Sequence, residues 1–276
     1  MRKYVPIIIV VAILLIAGGV FAFTRLRGGA ADQTTGNEIV KISEKYNEIP
    51  VEERPYVHLA PKTESGKRAG SSLEITIYDL KKPATSGEYE IEYQSGSLLQ
   101  GAFGRVNVSK LPEEQTIFLG SCSAGGKCSY HEEVTGGSIM LRFEGDTEFA
   151  LKNEWAYIDN TKKESTFSSR DAKFTVSGAG LARVTHAVIL VPPGYPENPE
   201  SRVISLPYSV GTLQSVAGQV GVSIRLNEEA ASAAILGWDG KAWVELKTTV
   251  SEKVATASGP LYEAYVAVSS VASSGE

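Results

Sequence analysis

The densest group of reactive side chains in this 276-residue chain runs from Cys122 to Glu133. Cys122 and Cys128 are its two cysteines, and His131, Glu132 and Glu133 follow closely. Thiolate, imidazole and carboxylate are the donor types that hold zinc. The five residues between the cysteines, however, exceed the gap of about two to four usual in zinc motifs. Ala124-Gly125-Gly126 is a turn signal, so the two thiols face each other across a tight loop. In an oxidising compartment that arrangement predicts a Cys122–Cys128 disulfide and no metal. So small a ring stabilises by on the order of 2–3 kcal/mol at best, pinning a loop rather than holding up a fold.

Other motifs fail in detail. Ser121 to Cys128 has the outline of a phosphate loop, but Ser121 replaces its leading glycine and Cys128 its magnesium-binding hydroxyl. Gly178-Ala179-Gly180 begins like a dinucleotide fingerprint, yet Arg183 occupies the third glycine position and no βαβ pattern follows. His58 and His186 stand in strand-like surroundings without companions and read as packing or surface residues. No nucleophile elbow or paired-histidine zinc motif occurs. The expectation is a protein with no catalytic residue and no cofactor.

Trp238 and Trp243 flank Asp239-Gly240. They read as core or cross-strand packing; exposed, they would be a binding surface for sugar rings or a partner protein. Glu88, Glu90 and Glu92 form a solvated strand face, which discourages edge pairing. Asn107-Val108-Ser109 matches a glycosylation acceptor.

The elements that must position these residues are strands. Leu73, Ile75 and Ile77 alternate with polar residues, as do Tyr89, Ile91 and Tyr93. Val106–Val108, Ile117–Leu119, Ile139–Phe143 and Phe149–Leu151 continue the pattern. Beyond a polar boundary at 160–170 come Lys173–Val176, Ala187–Val191, Val203–Leu206, Val222–Leu226 and Ala264–Val268. Asp239-Gly240 between two apolar runs predicts a type I′ hairpin over 234–246. Short strands at this spacing predict an all-β fold of two tandem antiparallel sandwiches, at 55–160 and 170–270, with a disordered tail at 271–276.

Residues 1–24 set the address. Val5 to Phe23 carries no charge, and about 17–25 such residues cross a hydrocarbon core as a helix. Val20-Phe21-Ala22 offers a cleavage site, but the apolar run exceeds the roughly 7–15 residues of a cleaved signal, which favours a retained transmembrane anchor. Arg2 and Lys3 precede it and Arg25 and Arg27 follow; the N-terminus is placed inside and the bulk outside the cytoplasm. Residues 25–54 read as a spacer with a short helix near Glu38 to Tyr46. Beyond Arg2 and Lys3 the chain holds 25 basic and 32 acidic residues, a net −7 that argues against nucleic acid as partner.

The first sandwich resembles fibronectin type III and immunoglobulin-like domains, on Leu73-Glu74-Ile75-Thr76-Ile77 and Glu88-Tyr89-Glu90-Ile91-Glu92-Tyr93. Tyr78 stands where that family carries a Trp. The last third is similar to β-sandwich modules of bacterial and archaeal surface proteins, on Trp238-Asp239-Gly240, Trp243, Leu246 and Tyr265–Val268. Those resemblances imply display or adhesion with no catalytic residues. The expected role is therefore contact with envelope or surface proteins, with glycan binding as the alternative.

Overall fold

Alternation of apolar and polar side chains governs the chain from Val57 to Ser269, within the described residues 45–269 of this computed structural model. The expected anchor, the spacer up to residue 44 and the tail lie outside the described residues. Among the described residues, no helix is long and apolar enough to cross a membrane.

The first strands are β1 (Val57–Lys62), β2 (Ser72–Ile77), β3 (Ser86–Ser95), β4 (Leu98–Val106) and β5 (Glu113–Phe118). A small hairpin of β6 (Gly120–Cys122) and β7 (Cys128–Tyr130) precedes two long strands, β8 (Val134–Glu144) and β9 (Phe149–Asp159). Next come β10 (Thr166–Ser168), β11 (Phe174–Ser177), β12 (His186–Leu190), β13 (Tyr208–Thr212) and β14 (Val220–Arg225). The last are β15 (Ala233–Trp238), β16 (Trp243–Leu246), β17 (Thr248–Ser251), β18 (Val254–Gly259) and β19 (Ala264–Ser269). The fold is all-β, with antiparallel pairing throughout these strands, as the period-two patterning predicts.

Nine strands form one sheet in the order β16-β15-β19-β13-β12-β9-β8-β3-β4. A three-stranded sheet, β1-β2-β5, and a five-stranded sheet, β10-β11-β14-β18-β17, accompany it. Side chains alternate between the faces of a strand, so one sheet can serve two cores. One core joins Leu59, Leu73 and Ile75 to Ile91, Ile139, Leu151 and Trp155 of the large sheet. The other joins Phe174, Val222 and Ile224 to Ile189, Tyr208, Ile235 and Tyr265. The three-stranded and five-stranded sheets thus pack on opposite faces of the nine-stranded one.

The join is β12. Ala187 to Leu190 are all buried, which explains an apolar run with no alternation. The expected boundary at 160–170 follows β9, yet β9 pairs directly with β12 from His186↔Asp159 to Leu190↔Trp155. The sheet is therefore continuous across that boundary, and the described residues from Lys45 onward fall in one unit. Within 160–170, β10 pairs with β11, and the Asn160 amide donates to the carbonyls of Glu164, Leu181 and Val184. Asn160 is buried, so the polarity read there as a boundary serves an internal hydrogen-bonded turn.

Several strand assignments shift. Val203–Leu206 makes only an isolated bridge from Val203 to Val268. The strand expected at Val106–Val108 instead ends at Val106 and begins at Leu98; Gly101 and Gly104 had broken its apolar pattern. The 234–246 hairpin forms, but its turn is not the expected one. Trp238 and Trp243 close it, and Gly240 alone among Asp239–Ala242 has positive φ. Asp239 stays in ordinary conformation because its carboxylate accepts the Lys241 and Ala242 N–H groups. At Gly211 in β13, a Cβ would lie 2.4 Å from the Leu59 carbonyl oxygen, so glycine lets β1 cross close above the large sheet.

Candidate functional site

Cys122 and Cys128 are directly opposed in the β6–β7 hairpin and form the expected disulfide, with Cα atoms 4.0 Å apart. The thiolate donors of the zinc reading are therefore bonded to each other. Among the described residues, no group of three or more His, Cys, Asp or Glu is placed to hold a metal. The hairpin base is closed by the His131 N–H donating to the Leu119 carbonyl at 3.0 Å. That places His131 on the wall of a cleft.

The cleft has a volume of about 550 Å³ and is lined by Arg68, Ser71, His131, Tyr157, Asp159 and His186, among others. His186 thus has companions, contrary to its reading as a solitary strand residue. Its Nε2 lies 4.0 Å from Asp159 Oδ1 and its Nδ1 3.0 Å from Thr185 Oγ1. Burial holds the His186 pKa below its ordinary value, with the Asp159 charge acting in opposition. Gly70 lies so close beneath that ring that a Cβ would stand 2.4 Å from its Cγ. The Tyr157 hydroxyl donates to the Gly70 carbonyl at 2.6 Å, and burial pushes that phenol upward. No local sequence signal could reveal this cleft, since its residues come from six separate segments.

Most of its polar groups are already engaged. Arg68 pairs with Glu132 at 2.7 Å and lies over the Tyr130 ring. The His131 Nδ1 lies 2.9 Å from the Tyr93 hydroxyl, and Gln214 donates to Thr185 Oγ1. Ser71 Oγ is buried and hydrogen-bonded to neither histidine. A nucleophile activated by a base needs that bond, and here the geometry does not supply it.

A second polar cluster sits at the seam between β1 and the large sheet. Tyr56 Oη, His58 Nδ1 and Ser209 Oγ are buried there, the Tyr56 hydroxyl beside Ser209 and the Glu263 carboxylate. Burial lowers the His58 pKa, while the nearby Glu263 and Glu74 carboxylates raise it. His58, read as a lone strand residue, is a packed one.

Trp238 and Trp243 are both half-buried and meet edge to face, with ring centroids 5.4 Å apart. The Trp243 indole N–H donates to the Glu197 carbonyl at 2.7 Å. Trp243 also packs beside Val266 and Val268, on the face of β15–β19 away from the five-stranded sheet. The pair is a packing element whose faces are turned partly inward.

What sequence reading missed is β4. It ends the nine-stranded sheet, pairing with β3 alone among the described residues. Leu98, Leu99 and Phe103 are 62%, 66% and 87% exposed. Half of an edge strand's backbone N–H and C=O groups point to open space and can accept another strand. Natural edges are usually short or charged, as β16 is, with four residues including Glu245. By contrast β4 runs nine residues, with Arg105 as its one charge. The Glu88, Glu90 and Glu92 row, expected to discourage edge pairing, lies on β3, which is interior between β4 and β8. Its charges are partly engaged inside the sheet, with Arg142 lying 3.7 Å from Glu90.

No family model, no curated protein and no solved structure matches this chain.

Proposed function

We propose that this chain is a non-catalytic protein, tethered to a membrane by residues 1–24, whose strand-built body works outside the cytoplasm by protein contact. The observation that carries this reading is the long, apolar edge of β4, unpaired among the described residues, with Phe103 almost fully in solvent. An exposed row of backbone donors and acceptors beside large apolar side chains binds an added strand, the backbone giving affinity and the side chains specificity. The charge-free run from Val5 to Phe23 supports the tether. The Cys122–Cys128 disulfide supports the address, since such bonds persist in oxidising compartments. The body belongs with the sandwich modules displayed on microbial surfaces, two sandwich units here sharing β12.

A photo-crosslinking amino acid at position 103 of the full chain, in its native membrane, tests this reading. Specific protein adducts at 103, and none at the exposed turn residue Lys241, are expected. Loss of adducts at 103, or protection of the body from protease added outside, overturns it.

A further inference from the structure

We infer that the partner of the β4 edge is β4 of a second copy of this chain, paired antiparallel about a two-fold axis at Gly101. This inference rests on the contact reading above and names its partner.

The strand is self-complementary in that register. Leu99, Gly101, Phe103 and Arg105 share one face of β4, opposite to that of Ala102 and the buried Val106. A two-fold at Gly101 sets Leu99 of each copy across from Phe103 of the other, and glycine across from glycine. Both exposed apolar side chains of that face are then covered twice over by one symmetric contact, as an isologous interface requires. Cross-strand apolar pairs of this kind are the unit of sheet stabilisation.

Charge agrees with the same register. Arg105 is exposed and has no ion pair among the described residues. At the other end of β4 lies the β3–β4 turn, where the exposed Glu133 carboxylate approaches Gly96. Antiparallel pairing brings Arg105 of each copy to the turn end of the other, basic end to acidic end, twice. A parallel pairing would set Arg105 beside Arg105.

Edge pairing alone buries little surface, and interfaces much below about 1,000 Å² are weak in free solution. Two copies tethered to one membrane meet at raised effective concentration, which offsets that weakness. The tether and the edge thus suit one another.

Cysteine trapping in native membranes tests the register. Chains carrying Leu99→Cys and Phe103→Cys, separately tagged and co-expressed, are oxidised mildly; the native cysteines are already paired. The mixed pair is expected to cross-link several-fold more than either variant with itself. In the two-fold register the like positions stand four residues apart, about 14 Å, beyond the Cα separation of about 4.4–6.8 Å that a disulfide spans. Phe103→Glu, added to the Leu99→Cys chain with its circular dichroism unchanged, should leave the mixed cross-link with unmodified Phe103→Cys chains several-fold weaker. Equal self-linking, or no mixed product, overturns the inference. The photo-crosslinker at 103 separates the two readings. Adducts of twice the chain mass support this one; adducts of other mass alone sink it and leave the contact reading standing; no adduct sinks both.

Discussion

Ile189 and Leu190, neighbours in β12, bury into different hydrophobic cores on opposite faces of one sheet. The backbone of β12 is consequently common to both packing units, and neither core can lose its sheet without disturbing the other.

Unfolding of the body should therefore be a single cooperative transition. Ile189→Ala and Leu190→Ala should each cost about 2–5 kcal/mol and lower that same transition. Calorimetry checks this. Two separate transitions, each moved by only one of the substitutions, would show that the sandwiches melt independently.

Acid should weaken the fold through His58. Burial holds its folded pKa below the ordinary 6.5, against the opposing pull of Glu263 and Glu74. The unfolded chain therefore takes up the proton first, and stability rises with pH in this window. The contribution is fully present above about 6.5, the unfolded value, and is lost as pH falls through the lowered folded pKa. His186 acts in the same direction. Glu64, held below its ordinary 4.5 by Lys67 and Ser72, keeps its contribution throughout this window and loses it only at lower pH. The mid-range slope in denaturant midpoint should flatten in His58→Gln, most clearly combined with His186→Gln. An unchanged slope in the double variant would contradict this assignment.

Removing the disulfide should be mild. The ring closed by Cys122 and Cys128 is short, so Cys122→Ser with Cys128→Ser should cost about 2 kcal/mol. For a body of this size that is a fall of about 4–8 °C in Tm. The far-ultraviolet spectrum should be unchanged, because neither core draws on the β6–β7 hairpin. Collapse of the fold on reduction would contradict the view that the bond pins only the rim of the cleft.

Gly70→Ala should destabilise by about 1–3 kcal/mol for its left-handed backbone alone, with φ at +67°. The new methyl also strikes the His186 ring. In Gly70→Ala with His186→Ala the second part should be relieved, so the double variant should lose less than the sum of the singles. Strict additivity in denaturant titrations would show that the ring simply moves aside.

Much of the body was legible as sequence because strand identity is written locally. Tyr89, Ile91 and Tyr93 alternate with glutamates, and all three face the core. The Cys122–Cys128 bond was legible for the same reason, six residues apart across a glycine turn. What lay beyond reach is non-local. Nothing near His186 announces Asp159, Arg68 or Gly70, because antiparallel pairing of β9 with β12 and the crossing of β1 bring them together. The edge formed by β4 was hidden twice: Gly101 and Gly104 interrupt its pattern, and a strand shows which side lacks a neighbour only once the sheet is assembled.

By itself, then, the order of residues determined an apolar opening segment, an all-β body and a paired-cysteine turn. Each of these follows from side chains within a few positions of one another. Tertiary structure alone decided that one sheet serves two cores, that two histidines share a cleft and that β4 ends the nine-stranded sheet. Those facts depend on which distant strands exchange hydrogen bonds, and the period-two pattern, the same for every strand, carries no record of its partner.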